Sequence, residues 1–106
     1  YLGRHLLRGY FDTDGCLYLE NKRGKFYPRV EMASISKAFM SELKILLTKL
    51  GFRFFYSELN RESQNWKNLH RITIGGHEMV NKWFSDIKPQ NQKHVRKFLK
   101  MKMAPP

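Results

Sequence analysis

The sequence is poor in features that would each indicate a particular class of protein. Its only cysteine is Cys16, so a single chain can form neither a disulfide framework nor a thiolate zinc site. No apolar run approaches the roughly 20 residues of a membrane-spanning helix, and the chain has no signal peptide. We therefore expect an intracellular protein (cytoplasm, nucleoid or organelle matrix) without a membrane partner.

Acidic residues are also scarce, with nine Asp and Glu against twenty Lys and Arg, a formal net charge of +11. This excess favours a polyanionic partner such as nucleic acid; a solubilising basic surface or an anionic membrane are the alternatives. The 106 residues, with 8 Phe, 5 Tyr and 2 Trp, suffice for one compact core. We expect a single domain over residues 1–104, with 105–106 as a tail or the start of a linker.

Hydrophobic periodicity predicts the order αββαββαα. The first helix spans residues 2–13, with Gly15 in a left-handed conformation beyond its end. Ser36 is the expected N-cap of the second helix, whose apolar stripe ends before Gly51. The other expected elements are strands near 17–22, 27–35, 52–59 and 70–74, a polar connection at 60–68, and helices at 79–87 and 91–101.

Two hairpins joined by a helix predict an α+β fold with one four-stranded, mostly antiparallel sheet. Helices would cover one face, and the alternation of the strands leaves a polar face on the other side. A twisted ribbon or sheet of this kind fits the DNA major groove, although a solvated surface would have the same pattern. The polar face consists of Tyr18, Glu20, Lys22, Arg29, Glu31, Arg71 and Thr73.

Asp12 and Asp14 follow a mostly apolar run in the segment LLRGYFDTDG. They could be exposed turn formers, but acids at a helix C-terminus oppose the helix dipole. An EF-hand calcium loop is excluded, because its first and twelfth positions would fall on Tyr10 and Asn21. The third interpretation makes Asp14 a ligand of a hard divalent cation in phosphodiester hydrolysis, with a second Asp14 supplied by a second copy of the helix.

The stretch from Leu7 to Gly15 resembles the nine-residue motif of the LAGLIDADG homing endonucleases, with Arg8, Tyr10, Phe11 and Thr13 as departures. The stretches ISKAFMSELKILLTKLG and ITIGGHEMVNKWFSDIKPQNQKHVRKFL are similar to later landmarks of the family. They include an I-x-P-x-x-x-K pattern at Ile87, Pro89 and Lys93. The predicted element order also resembles the αββαββα core of that family.

The resemblance implies a site-specific, double-stranded DNA endonuclease that depends on Mg²⁺ or Mn²⁺. A chain with one motif would act as a homodimer through its first helix, with Gly9, Thr13 and Asp12 at the interface. Asp14 and the backbone carbonyl of Thr13 would bind metal, while Asp12 would chiefly be structural. Lys93 would be the basic catalytic residue.

The resemblance also implies that Ser36 is a polar residue that organises water near the metal. The DNA-binding surface would be the polar face of the sheet. Arg96 and Lys97 of the last helix would contact phosphates. His94, on the same helix, is expected to be a surface side chain rather than a general base.

Two alternatives use the same fold. One is a nucleic-acid-binding protein that does not cleave, as in RNA maturases and DNA-binding regulators. The other is the endonuclease half of an intein or of a two-motif protein.

Overall fold

The computed structural model describes residues 2–103 of the chain. Its α+β architecture agrees with the sequence prediction: an antiparallel four-stranded sheet has the strand order β1-β2-β4-β3. The expected tail at 105–106 lies outside the described residues. The elements are α1 (Leu2–Asp14), β1 (Cys16–Lys22), β2 (Lys25–Ser34), α2 (Lys37–Lys49), β3 (Phe55–Leu59), a 3₁₀ turn (Glu62–Gln64), β4 (Leu69–Gly75), α3 (His77–Asp86) and α4 (Gln92–Met103).

The alternation of each strand divides the sheet into two chemically different faces. Val30, Met32, Ile72 and Ile74 are buried beneath the helices, whereas the intervening residues point to the open face. The helices supply their apolar stripes to the same core. The sheet therefore has one face free for a partner.

Trp83 of α3 is the largest fully buried side chain and lies near the centre of the core. Its ring makes edge-to-face contacts with Phe11 of α1, at a centroid distance of 5.3 Å, and with Phe52, at 5.5 Å. These contacts join the first helix, the segment before β3 and the third helix.

The prediction that Gly15 adopts a left-handed conformation is wrong. Glycines with positive φ in the described part of the chain are Gly24, Gly51 and Gly76. Gly15 instead lies directly against Phe11: a Cβ at position 15 would be 2.9 Å from the Phe11 carbonyl oxygen and would overlap the ring. The close approach of Gly15 to Phe11 on the last turn of α1, rather than backbone conformation, requires glycine here.

The start of β3 also differs from the prediction, because β3 begins at Phe55 rather than Phe52. Phe52 is buried, and its N–H donates to the Leu47 carbonyl, 2.9 Å away. Its apolar character reflects packing at the end of α2, which the sequence pattern did not distinguish from a strand. Ser36 is the N-cap of α2, as predicted, with its hydroxyl oxygen accepting from the Phe39 N–H.

The two tryptophans provide a matched test of this core. Trp83 is fully buried, whereas Trp66 is 60% exposed. We expect Trp83→Ala to lower the free energy of unfolding by about 3–5 kcal/mol, and Trp66→Ala to change it by less than about 0.5 kcal/mol. Urea denaturation measures both; Trp83→Phe serves if Trp83→Ala does not fold. Equal effects of Trp83→Ala and Trp66→Ala would contradict the described core.

Candidate functional site

Asp12 and Asp14, two residues apart at the end of α1, have different environments. The Asp12 carboxylate accepts hydrogen bonds from the backbone N–H of Gln90, at 2.9 Å, and of Asn91, at 3.1 Å. The side-chain amide of Asn91 in turn donates to the backbone carbonyl of Asp12, at 2.8 Å. Within residues 2–103 the exposed Asp14 carboxylate forms neither a hydrogen bond nor an ion pair.

Arg8, one turn before Asp12, binds the same connection between α3 and α4. Its Nε donates to the carbonyl oxygen of Ile87, the residue that follows α3, at 2.7 Å. Arg8 and Asp12 thus contact the two ends of the segment Ile87–Asn91, which we call the α3–α4 connection. It contains buried Pro89.

This arrangement accounts for much of the I-x-P-x-x-x-K pattern. Ile87 and Pro89 are buried, and Lys88 between them has a φ of 56°. Asn91 lies just before α4 and caps its first turn, because its side-chain oxygen accepts the Lys93 N–H at 3.0 Å. The spacing thus reflects a tight connection held against α1.

Lys93 lies in the first turn of α4, with its side chain exposed. Its backbone contributes to the helix cap, and none of the described contacts joins its ammonium group to Asp14. The catalytic assignment of Lys93 stays a prediction.

Tyr10, one turn before Asp14 on α1, contacts the end of β2 and was not identified as a site residue from the sequence. The Tyr10 hydroxyl donates to the Ala33 carbonyl and interacts with Ser34 at the end of β2. Burial raises the pKa of the Tyr10 hydroxyl, and the negative charge of Asp14 raises it further. Tyr10 thus joins the end of α1 to the end of β2.

Ser36 is two residues beyond Ser34 and its hydroxyl oxygen caps α2, while its own N–H donates to Ser34 Oγ, at 3.0 Å. The proposed water-organising role of Ser36 is untested. Ser34 is the serine that directly approaches Tyr10. Both serines lie near the end of β2, and the sequence pattern alone could not show which of them approaches Tyr10.

His94 is not the surface side chain that the basic character of α4 suggested. It is buried, and its ring lies 4.4 Å from the Phe11 ring, centroid to centroid. Burial lowers the pKa of His94, an effect that the nearby Asp12 partly opposes. Packing against Phe11 therefore makes His94 part of the junction between α1 and α4.

The polar face of the sheet forms one open groove of about 730 Å³. All seven residues predicted for a DNA-binding surface line it, so the structure brings together what strand alternation predicted; DNA contact by them stays a prediction. Additional lining residues that the sequence did not identify are Tyr27, Arg53, Phe54, Phe55, Ser57, Gly75 and Gly76.

Charges on the groove floor are arranged as pairs. Arg29 Nε donates to Glu20 Oε1 at 2.9 Å, and Arg71 Nε lies 3.4 Å from Glu31 Oε1. The floor of the groove thus carries little excess charge. Glu20 also holds Arg29 against the sheet through this hydrogen bond.

Unbalanced positive charge is concentrated beside the groove. Arg23 and Lys25 are exposed at the β1–β2 turn, next to Lys22, which lines the groove and lies 3.9 Å from Glu20 Oε1. At the β1 edge, Lys97 and Lys100 of α4 line a small cleft together with Tyr18 of the groove. Arg96 is exposed on the same helix. This distribution places positive charge where the backbone of a bound polyanion could run.

Side chains that bind metals are not clustered in the described part of the chain. No cluster of three or more His, Cys, Asp or Glu side chains that could hold a metal ion occurs among residues 2–103. Asp14 nevertheless has suitable chemistry, because an unpartnered carboxylate is a hard oxygen donor of the type that Mg²⁺ prefers. No helix in the described part of the chain is long and apolar enough to cross a membrane.

Comparison with known proteins agrees with this geometry. Residues 3–88 match the model of the LAGLIDADG-like domain. The chain belongs to this family. The matched region contains α1, the whole sheet, α2 and α3.

Two relatives from Methanocaldococcus jannaschii share part of the sequence. One is a glutamine–fructose-6-phosphate aminotransferase, 34% identical over 68 residues that cover 64% of this chain and 6% of the relative. The other is the ATP-dependent DNA helicase Hel308, 24% identical over 102 residues that cover 88% of this chain and 8% of the relative. The chain thus spans a small fraction of each of these proteins.

The contact between Asp12 and the α3–α4 connection generates a stability prediction. Asp12→Ala leaves the Gln90 and Asn91 N–H groups without their acceptor and should lower the free energy of unfolding by about 1–3 kcal/mol. Asp12→Asn keeps one acceptor oxygen and should lose less. Urea denaturation checks the order of the three proteins, with Glu62→Ala in the exposed 3₁₀ turn as the control. An Asp12→Ala variant as stable as wild type would contradict this role.

Proposed function

We propose that this chain is a divalent-metal-dependent, site-specific endonuclease for double-stranded DNA that acts as a homodimer. The observation that carries the proposal is the exposed, unpartnered carboxylate of Asp14 at the C-terminal end of α1 in a LAGLIDADG-like domain. A carboxylate at the negative end of a helix dipole is unfavourable without a cation. Metal binding would supply that cation.

Asp14 and the Thr13 carbonyl would hold Mg²⁺ or Mn²⁺, jointly with their counterparts from a second chain. When bound, the metal supplies charge neutralisation at the scissile phosphate and an activated water. The chain itself fixes the end of α1 through Asp12 and Arg8. It leaves Asp14 exposed beside the first strand of the groove.

The groove is the proposed DNA-binding surface. Its floor presents paired polar side chains at the depth of the sheet, which suits contact with base edges. Its flanks at the β1–β2 turn and at α4 carry lysines and arginines, including Arg96 and Lys97, that suit phosphates. DNA affinity should accordingly fall steeply as salt concentration rises.

The exposed face of α1 supports the proposed dimer. Leu6 is 45% exposed, and a Cβ on Gly9 would meet no atom within 4 Å. The Thr13 hydroxyl donates to the Gly9 carbonyl at 2.8 Å, which satisfies it within its own helix. These residues form a stripe without unsatisfied side-chain hydrogen-bonding groups, across which a second α1 could pack closely. Such packing would place the two Asp14 residues at the same end of the helix pair.

Cleavage provides the test of Asp14. On a duplex selected from a random library by the wild-type protein, wild type should cut with Mg²⁺ or Mn²⁺ and stop on addition of EDTA. Asp14→Asn should cut slower by about 100-fold or more, the scale of losing one charge-stabilising group, while fluorescence anisotropy reports retained binding. Glu62→Gln, which neutralises another exposed acid, should cut normally.

Equal cleavage by Asp14→Asn and wild type would reject Asp14 as a metal ligand. Wild-type binding without cleavage under either metal would instead support the binding protein that does not cut.

Dimerisation is tested by enlarging Gly9. Gly9→Leu should weaken self-association by on the order of tenfold or more, because the side chain separates the two helices. Sedimentation velocity over a concentration series measures it, and Ala38→Leu at an exposed position of α2 is the matched control. A wild-type monomer at all concentrations would reject the homodimer and favour half of a two-motif protein.

A further inference from the structure

Arg29 occupies a central position on the groove floor. Its Cα pairs with Tyr18 on β1 and with Gly75 on β4, so it has a strand on either side. Its side chain is only 15% exposed although it lines the groove. An arginine this low in the groove is held against the sheet rather than extended into solvent.

Gly75 provides the space in which the Arg29 guanidinium lies. A Cβ built on Gly75 would be 2.6 Å from Arg29 Nη1 and 2.9 Å from Cζ. Gly75 is not among the glycines with positive φ in the described residues, so its backbone does not require glycine. The missing side chain is therefore explained by the guanidinium that fills its place.

Two hydrogen bonds orient the guanidinium within that space. Nε donates to Glu20 Oε1 at 2.9 Å, and Nη1 donates to the Pro28 carbonyl at 3.2 Å. The Nη2 group has no hydrogen-bond partner among residues 2–103. Part of the fork thus remains available for a ligand in the groove.

We propose that Arg29 reads a guanine in the major groove and that Gly75 and Glu20 are its positioning residues. This inference rests on the proposed DNA binding and adds the base class that one residue selects. Arginine recognises guanine by donating two hydrogen bonds to O6 and N7. A guanidinium that is already oriented loses less conformational freedom when it binds.

Arg71 and Glu31 form a second pair in the same groove without this arrangement. Arg71 Nε is 3.4 Å from Glu31 Oε1 but lacks hydrogen-bond geometry, and its side chain is 41% exposed. No glycine contact restrains its guanidinium. Arg71 thus lacks the restraint that orients Arg29.

The competing role for Arg29 is contact with a phosphate. A phosphate contact would add affinity to all sequences alike, whereas a base contact adds preference at one position of each half-site. The preference profile distinguishes the two roles, which affinity alone does not.

The experiment selects duplexes from a random library with the full chain and with Gly75→Ala, Glu20→Gln, Arg29→Lys and, as a control, Glu62→Gln, which neutralises an exposed acid outside the groove. Wild type should show a preferred guanine, which the first three variants relax by about 5- to 100-fold. Preferences elsewhere should persist. Glu62→Gln should leave that guanine preference unchanged. Glu20→Gln provides the positioning test if Gly75→Ala does not fold.

A double-mutant cycle then separates positioning from general structure. In the Arg29→Ala background, Gly75→Ala should cause no further change in base preference, because the group that it displaces is gone. Unchanged preferences in both Gly75→Ala and Glu20→Gln would overturn the inference, as would a uniform loss of affinity in Arg29→Lys. A wild-type chain that binds no duplex would reject the proposed function itself.

Discussion

The placement of α1, the helix that carries most of the nine-residue motif, depends on two charged side chains that bind the α3–α4 connection. Arg8 and Asp12, one turn apart on α1, contact the carbonyl of Ile87 and the N–H groups of Gln90 and Asn91. These contacts fix the direction in which α4 leaves and bring His94 onto Phe11. Asp12 satisfies the Gln90 and Asn91 N–H groups just before α4, whereas Asp14 has no hydrogen-bond or ion-pair partner among residues 2–103. The two acids of one motif thus differ in environment, and the proposed metal-binding role falls to Asp14 alone.

The sheet and its polar face were predictable because they arise from local alternation. Successive side chains of a strand point to opposite faces, so the residues that share the groove could be identified before their neighbours were known. The same reasoning could not place His94 or Gly15. His94 packs against Phe11, which lies far from it in the sequence, and Gly15 contacts the same residue instead of adopting a left-handed conformation. Packing of this kind has no local sequence signal.

Charge is distributed differently on the floor of the groove and on its flanks. Glu20 and Glu31 balance arginines on the floor, so much of the excess positive charge lies at the β1–β2 turn and on α4. Uniformly basic grooves bind any nucleic acid strongly, because phosphate contacts carry no sequence information. Acids on the floor reduce that general attraction, and a groove contact that breaks the Glu20–Arg29 hydrogen bond without replacing it is penalised. The composition predicts a polyanionic partner, whereas only the ion pairs show which basic side chains of the groove floor are neutralised.

The contact between Asp12 and Gln90 also bears on the order in which the chain folds. It joins residues 78 positions apart, and contacts between distant residues form late because closing a long loop costs entropy. The β1–β2 hairpin needs only neighbouring residues. During synthesis the groove strands therefore precede the segment that fixes the end of α1. A nascent chain can therefore form the β1–β2 hairpin before residues 87–91 fix the end of α1, where Asp14 lies.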